Sequence, residues 1–244
     1  VQPQEDVLGR LTLERGRLIA FAVALAVLAA AGGAQAHGIG GKDAAFVASA
    51  TGFEFWPFLY LGAKHMVTGY DHLLFILGVI FFLHRLKHVA LYVTLFSIGH
   101  SITLLSGVLG RIEVNPYLVD AIIGLSVVYK AFDNLGGFKT LFGVRPDNRI
   151  AVLGFGLIHG FGLATKLQAL RLPANGLVAN MLSFNLGVEV GQLIALSLML
   201  AVIALWRRAP GYGRLSVLAN VLIMTAGFVL AGYQLGGLAY GDAA

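Results

Sequence analysis

Six apolar stretches dominate the chain, at 70–84, 89–109, 116–132, 150–169, 177–206 and 215–238, separated by short loops rich in Lys and Arg. A helix needs about 20 apolar residues to cross a bilayer. Six such stretches predict an all-α, polytopic membrane helical bundle of about six transmembrane helices. The charge content agrees: only 12% of the residues are charged, against roughly 25% in a soluble domain. Glycine, with 32 residues, is spread through the apolar stretches, as close helix packing in membranes requires. The first stretch is short unless its helix begins upstream, near Trp56 or Lys64. "EFWPFLYLGAKHM" is apolar and aromatic, with Pro57 well placed to open a helix. Residues 37–69 are therefore expected to be a periplasmic or interfacial lead-in, and 70–244 the six-helix transmembrane domain.

The N-terminus has the pattern of a secretion signal. Arg10, Arg15 and Arg17 precede "LIAFAVALAVLAAAGG", and "AQA" follows at 34–36. A basic start, an apolar centre and an Ala-x-Ala site predict a cleaved signal peptide over 1–36. Cleavage there makes His37 the first residue, an amine and imidazole that can chelate a metal. Lys and Arg orient the remainder. Arg85, Lys87, Lys139, Arg145, Arg149, Arg207, Arg208 and Arg214 fall on one side. Lys42, Lys64, Arg111, Lys166 and Arg171 fall on the other. The richer side is cytoplasmic. The expected location is the bacterial inner membrane, with both mature termini periplasmic. The basic residues form no continuous patch with interleaved aromatics, which argues against a nucleic-acid partner. Cysteine is absent, so disulfides, thiolate ligands and a Cys nucleophile are excluded.

Ionisable groups inside apolar spans are costly and point to function. The first span carries Asp71 and His72, with His65 just upstream. The second carries His100 within "FSIGHSITLL", with Ser97, Ser101 and Thr103 around it. The third carries Asp120, and the fourth His159 within "FGLIHGFGLA". The fifth carries Asn185, Glu189 and Gln192 within "FNLGVEVGQL". Asn185 and Glu189 are four apart and share a helix face, with Gln192 on nearly the same stripe. His65 and His72 are seven apart, about 10 Å along a continuous helix. They can hold one ion only if the chain bends, for example at Gly69. Gly99, Gly160 and Gly162 flank the two mid-span histidines and let neighbouring helices approach.

His65, Asp71, His72, His100, His159 and Glu189 are the candidate metal ligands, with Asn185, Gln192 and Ser101 in support. Imidazole and carboxylate suit divalent nickel, cobalt, zinc, copper or iron. His84 and His88, beside Arg85 and Lys87, read as solvated loop residues. Lys130 and Asp133 are spaced for an ion pair. Phe75, Phe81 and Phe82 read as lipid-facing or packing surface. No phosphate-binding loop is visible, so no ATP-driven step is expected.

With these motifs in view, the chain resembles the HupE/UreJ family over about residues 55–235. "HMVTGYDHLLF", "FSIGHSITLL", "LIHGFGLA" and "FNLGVEVGQL" carry the likeness together, with "AHG" after the signal site. The His-x5-Asp-His spacing and "SIGHS" are also similar to signatures of nickel/cobalt transporters, which use His-x4-Asp-His. The resemblance implies a hydrogenase or urease accessory protein that acts as a nickel permease. The alternative is an intramembrane metal-dependent enzyme that uses the same residues to retain its metal. Expected partners are the metal ion and the lipid bilayer, with a homo-oligomer left open. The similar His motifs of spans two and four also suggest two related three-helix halves.

Overall fold

The computed structural model describes residues 42–81, 83, 86–168, 175–208 and 210–241. The expected signal peptide, His37, His84, Arg85 and Phe82 lie outside these residues. Every regular element among the described residues is helical, with no strand among them. The order is α1 (Lys42–Ser49), α2 (Phe55–Thr68), α3 (Tyr70–Ile80), α4 (Leu86–Gly110), α5 (Pro116–Asn134), α6 (Gly137–Phe142), α7 (Asn148–Gln168), α8 (Leu177–Trp206) and α9 (Tyr212–Tyr240). Within α4, the segment Lys87–Gly110 is long and apolar enough to cross a membrane, and so are α7, α8 and α9 in full.

Local signals explain the helix ends. Asn115 caps α5: its Oδ1 accepts hydrogen bonds from the Tyr117 and Leu118 amides at 2.9 and 3.3 Å, and Pro116 opens the helix. Gly176, at φ +75°, turns the chain into α8 where a Cβ would lie 2.8 Å from the Phe53 amide nitrogen.

The expected lead-in is part of the bundle. At the start of α2, the Glu54 amide donates to Asn180 Oδ1 at 2.8 Å, and Asn180 Nδ2 donates to the Gly52 carbonyl at 2.9 Å. Beyond the end of α3, the Arg207 guanidinium donates to the Phe81 carbonyl at 2.7 Å, and the Phe81 and Trp206 rings meet. The pair α2 and α3 thus runs the length of α8 as one interrupted helix. Gly62 of α2 rests on the Phe184 backbone, and Gly187 of α8 on the Leu59 backbone. With no side chain at either point, the two helices touch backbone to backbone.

The same device builds two more pairs. Gly99 of α4 and Gly156 of α7 each face the other helix's carbonyls, and Gly124 of α5 meets Gly227 and Ala231 of α9. The pairing runs 96 to 156 and 103 to 160, so α4 and α7 are parallel neighbours. The two helices that carry the similar His motifs are therefore direct neighbours. The surface is the reverse of a soluble protein's. Ile98, Ile102, Leu182, Ile194, Leu198, Phe228 and Val229 are exposed, while His72, His100, His159, Asn180, Gln192 and Asn220 are buried. Phe75 and Phe81 are each only 1% exposed and pack inside, so the lipid-facing option is removed for both.

Candidate metal centre

The interruption between α2 and α3 creates the centre. Gly69 has φ −75° and ψ 99°, an extended residue between two helices. Its amide still donates to the His65 carbonyl at 2.9 Å, closing α2, and its carbonyl accepts from the Leu73 amide at 3.0 Å, opening α3. The bend brings the His65 and His72 rings to 5.1 Å between centroids, about half their separation along a continuous helix. A Cβ on Gly69 would lie 2.9 Å from His72 Nδ1 and 3.0 Å from the His65 carbonyl oxygen. The bend therefore also needs a residue with no side chain.

His100 adds a third imidazole from the middle of α4. His65, His72 and His100 each offer a nitrogen, and these three atoms lie within 4.8 Å of one another. Two nitrogens on one ion, each 2.0–2.1 Å from it, are at most about 4.2 Å apart. A small side-chain movement therefore suffices for all three to reach one metal. His159 of α7 stands on the other flank of His72, with ring centroids 4.8 Å apart. It is in ring contact with His72 but outside the convergent set.

Hydrogen bonds set the tautomers of two rings. His159 Nδ1 donates to the Phe155 carbonyl at 2.7 Å, one helical turn back. His72 Nδ1 donates to Asp71 Oδ1 at 2.8 Å, and the same oxygen accepts from the His72 amide at 2.6 Å. In the neutral form of each ring the lone pair is then on Nε2, the state that binds metal. Asp71, an expected ligand, has its Oδ1 turned onto its neighbour's imidazole. A carboxylate behind a histidine fixes the orientation of the ring.

The surroundings exclude water. His100 is 0% exposed and His72 2%. Phe96 lies 5.0 Å from His159 and 6.1 Å from His72, Phe75 lies 5.6 Å from His159, and Phe184 lies 5.9 Å from His65. Gly160 brings α7 against the His100 carbonyl and Thr103 Oγ1. Thr103 is buried and donates back to the Gly99 carbonyl at 3.1 Å.

The expected supporting residues divide. Gln192 is buried and accepts from Ser97 Oγ at 2.9 Å, tying α8 to α4 one turn from His100. Asn185 is half-buried beside His100, and Ser101 is half-buried one residue along α4. Glu189 is corrected. It is exposed on α8 and is not among the residues brought together. The shared stripe is real, but about 40° of rotation from Asn185 carries Glu189 onto the outward arc.

Some polar partners were not legible beforehand. Lys166 Nζ bridges both oxygens of Asp120, at 3.1 and 2.8 Å, joining α7 to α5. Asn134 Nδ2 donates to the Gly78 carbonyl and to Asn220 Oδ1, each at 2.8 Å. The expected Lys130–Asp133 pair is present at 2.6 Å. His88 is exposed.

No curated protein and no solved structure matches the chain. The family model described as "HupE / UreJ protein" matches residues 41–240, a span that holds the nine helices of the described residues and every histidine of the centre. The chain belongs to the HupE/UreJ family.

Proposed function

We propose that this protein is a permease for a divalent transition-metal ion, with nickel the leading cargo and cobalt, zinc, copper and iron the alternatives. One observation carries the reading: three imidazoles from α2, α3 and α4 converge where a helix is interrupted in the middle of the bundle. Transporters commonly bind their cargo near the midplane at broken helices. Nitrogen donors favour transition metals over magnesium and calcium. Asp71 holds the His72 ring in orientation and offsets part of the cargo's charge from behind.

In this reading the Arg-rich loop end is cytoplasmic and the membrane is the inner one. The ion moves between the His65 side and that end, held on the way by His65, His72 and His100, with His159 as the next imidazole. The drive is the membrane potential or a coupled gradient. The test is uptake of nickel, cobalt, zinc, copper and iron by proteoliposomes of the full chain, with His72→Ala beside the wild type. Uptake that fails in His72→Ala supports the permease. Vesicles that move none of these ions, while the protein keeps one chelator-resistant metal, overturn it in favour of the intramembrane metalloenzyme.

A further inference from the structure

Below the imidazoles, toward the Arg-rich end, is a second polar space. A cavity of about 220 Å³ is lined by Lys130, Asp133, Asn134 and Asn148, together with Val79, Tyr92 and Val152. Val79, Tyr92 and Val152 also line a narrow, mostly apolar cleft of about 10 Å³ that reaches Phe75, Phe96 and Gln192. Those two phenylalanines touch His159, and Phe96 also touches His72 and His100. The cavity and the imidazole centre are thus the two ends of one line, with a dry neck between them.

The sizes differ in a way that matters for an ion. A divalent ion with six waters needs about 180 Å³, at roughly 30 Å³ per water. The cavity holds that volume. The neck has room for at most about one water. An ion in the cavity keeps its hydration shell, and an ion passing the neck must shed it.

The cavity also contains a carboxylate and a resident cation. Lys130 is 6% exposed, and its ammonium donates to Asp133 Oδ2 at 2.6 Å and to Asn148 Oδ1 at 3.2 Å. A buried cation is held by acceptors that another cation could use. Asp133 and Asn148 supply oxygens, the donors suited to a hydrated divalent ion.

We infer that this cavity is a second cation station, where Asp133 and Asn148 receive a hydrated divalent ion and the Lys130 ammonium is the counter-cation it displaces. The station rests on the permease reading for its purpose, but its binding chemistry is separate. The imidazoles select nitrogen-seeking metals, whereas the station takes any small divalent ion with its water. The neck then makes dehydration the step that separates the two.

Manganese(II) distinguishes them, because it prefers oxygen donors. The full chain in lipid nanodiscs is titrated with Mn2+, and free ion is read from its EPR signal. Ni2+ binding is measured in parallel by equilibrium dialysis. Asp133→Asn should weaken Mn2+ binding by about tenfold or more, the scale expected when an outer-shell partner is lost, and leave tight Ni2+ binding in place. Lys130→Met should tighten Mn2+ binding by about tenfold or more, because it removes the competing charge. It also decides the matter alone if Asp133→Asn does not fold. His72→Ala should lose Ni2+ and keep Mn2+. Mn2+ binding that survives Asp133→Asn, weakens in Lys130→Met or vanishes in His72→Ala overturns the station. If the Mn2+ pattern holds while His72→Ala keeps its Ni2+, the imidazole reading fails and the station stands.

Discussion

Asp71 and His72 are adjacent in sequence, and a single carboxylate oxygen of Asp71 accepts from both the His72 amide and its Nδ1–H, at 2.6 and 2.8 Å. The first turn of α3 thus sets the imidazole's tautomer and direction before any metal arrives. Asp71→Asn removes the charge but keeps the shape, so the ring is oriented less firmly. Nickel affinity should fall by about 10–100-fold, the usual effect of losing such a partner, with the helical content unchanged. Calorimetric titration of the variant in nanodiscs measures it. An unchanged affinity would mean that the His72 ring is oriented by packing alone.

His72→Ala and His100→Ala should each cost at least that factor, since each removes one of three convergent nitrogens. His65→Ala should fall in the same class. His88→Ala is the control: it is exposed on α4, and its variant should bind and transport as the wild type does. His159→Ala discriminates between two arrangements. If His159 serves only as the next step on the path, uptake drops while equilibrium affinity is kept. Loss of both would make it a fourth ligand.

Gly69→Ala tests the bend. The backbone angles at Gly69 suit alanine, so the new Cβ acts only through space. That atom falls 2.9 Å from His72 Nδ1 and 3.0 Å from the His65 carbonyl oxygen, inside normal contact distance. Alanine also favours a continuous helix by about 1 kcal/mol over glycine. Both effects push His65 away from His72. Nickel affinity should fall about as far as in His65→Ala, and the double variant Gly69→Ala, His65→Ala should be no worse than either alone. Additive losses would show that Gly69 matters for some reason other than placing His65.

Much of this bundle follows directly from residue pattern, because hydropathy and helix period are local properties. The six apolar stretches became helices at nearly the expected places, and Gly69 was identifiable as the bend that His65 requires. The centre's finer roles depend on information that spacing does not carry. Adjacency of Asp71 and His72 does not reveal that the carboxylate curls onto its own neighbour. A shared stripe through Asn185, Glu189 and Gln192 is resolved only to tens of degrees, and Glu189 lies on the far side of that margin. Pairs such as Lys166 with Asp120, or Asn180 with the Glu54 amide, join residues 46 and 126 positions apart. Only the packed helices bring them together. The aromatic walls are similar: Phe96 and Phe184 look like any other apolar residue until α4 and α8 are in place.

Two glycines on α7, only two residues apart, should respond to the same substitution with opposite signs. An alanine Cβ at Gly154 meets nothing within 4 Å, whereas at Gly156 it runs into the Phe96 backbone of α4. Gly154→Ala therefore gains helix propensity of up to about 1 kcal/mol without a steric cost. Gly156→Ala must force α4 and α7 apart, an overpacking penalty of about 1–3 kcal/mol. Because His100 sits one turn beyond Phe96 on the same helix, the separation also moves an imidazole away from His72. Thermal unfolding followed by helical circular dichroism should rank Gly154→Ala at or above the wild type and Gly156→Ala below it. Nickel affinity should fall only in Gly156→Ala. A Gly156→Ala protein as stable as the wild type would show that backbone contact between α4 and α7 is not what holds the two helices together. If stability fell while nickel affinity was kept, the α4–α7 spacing would matter for the bundle but not for the position of His100.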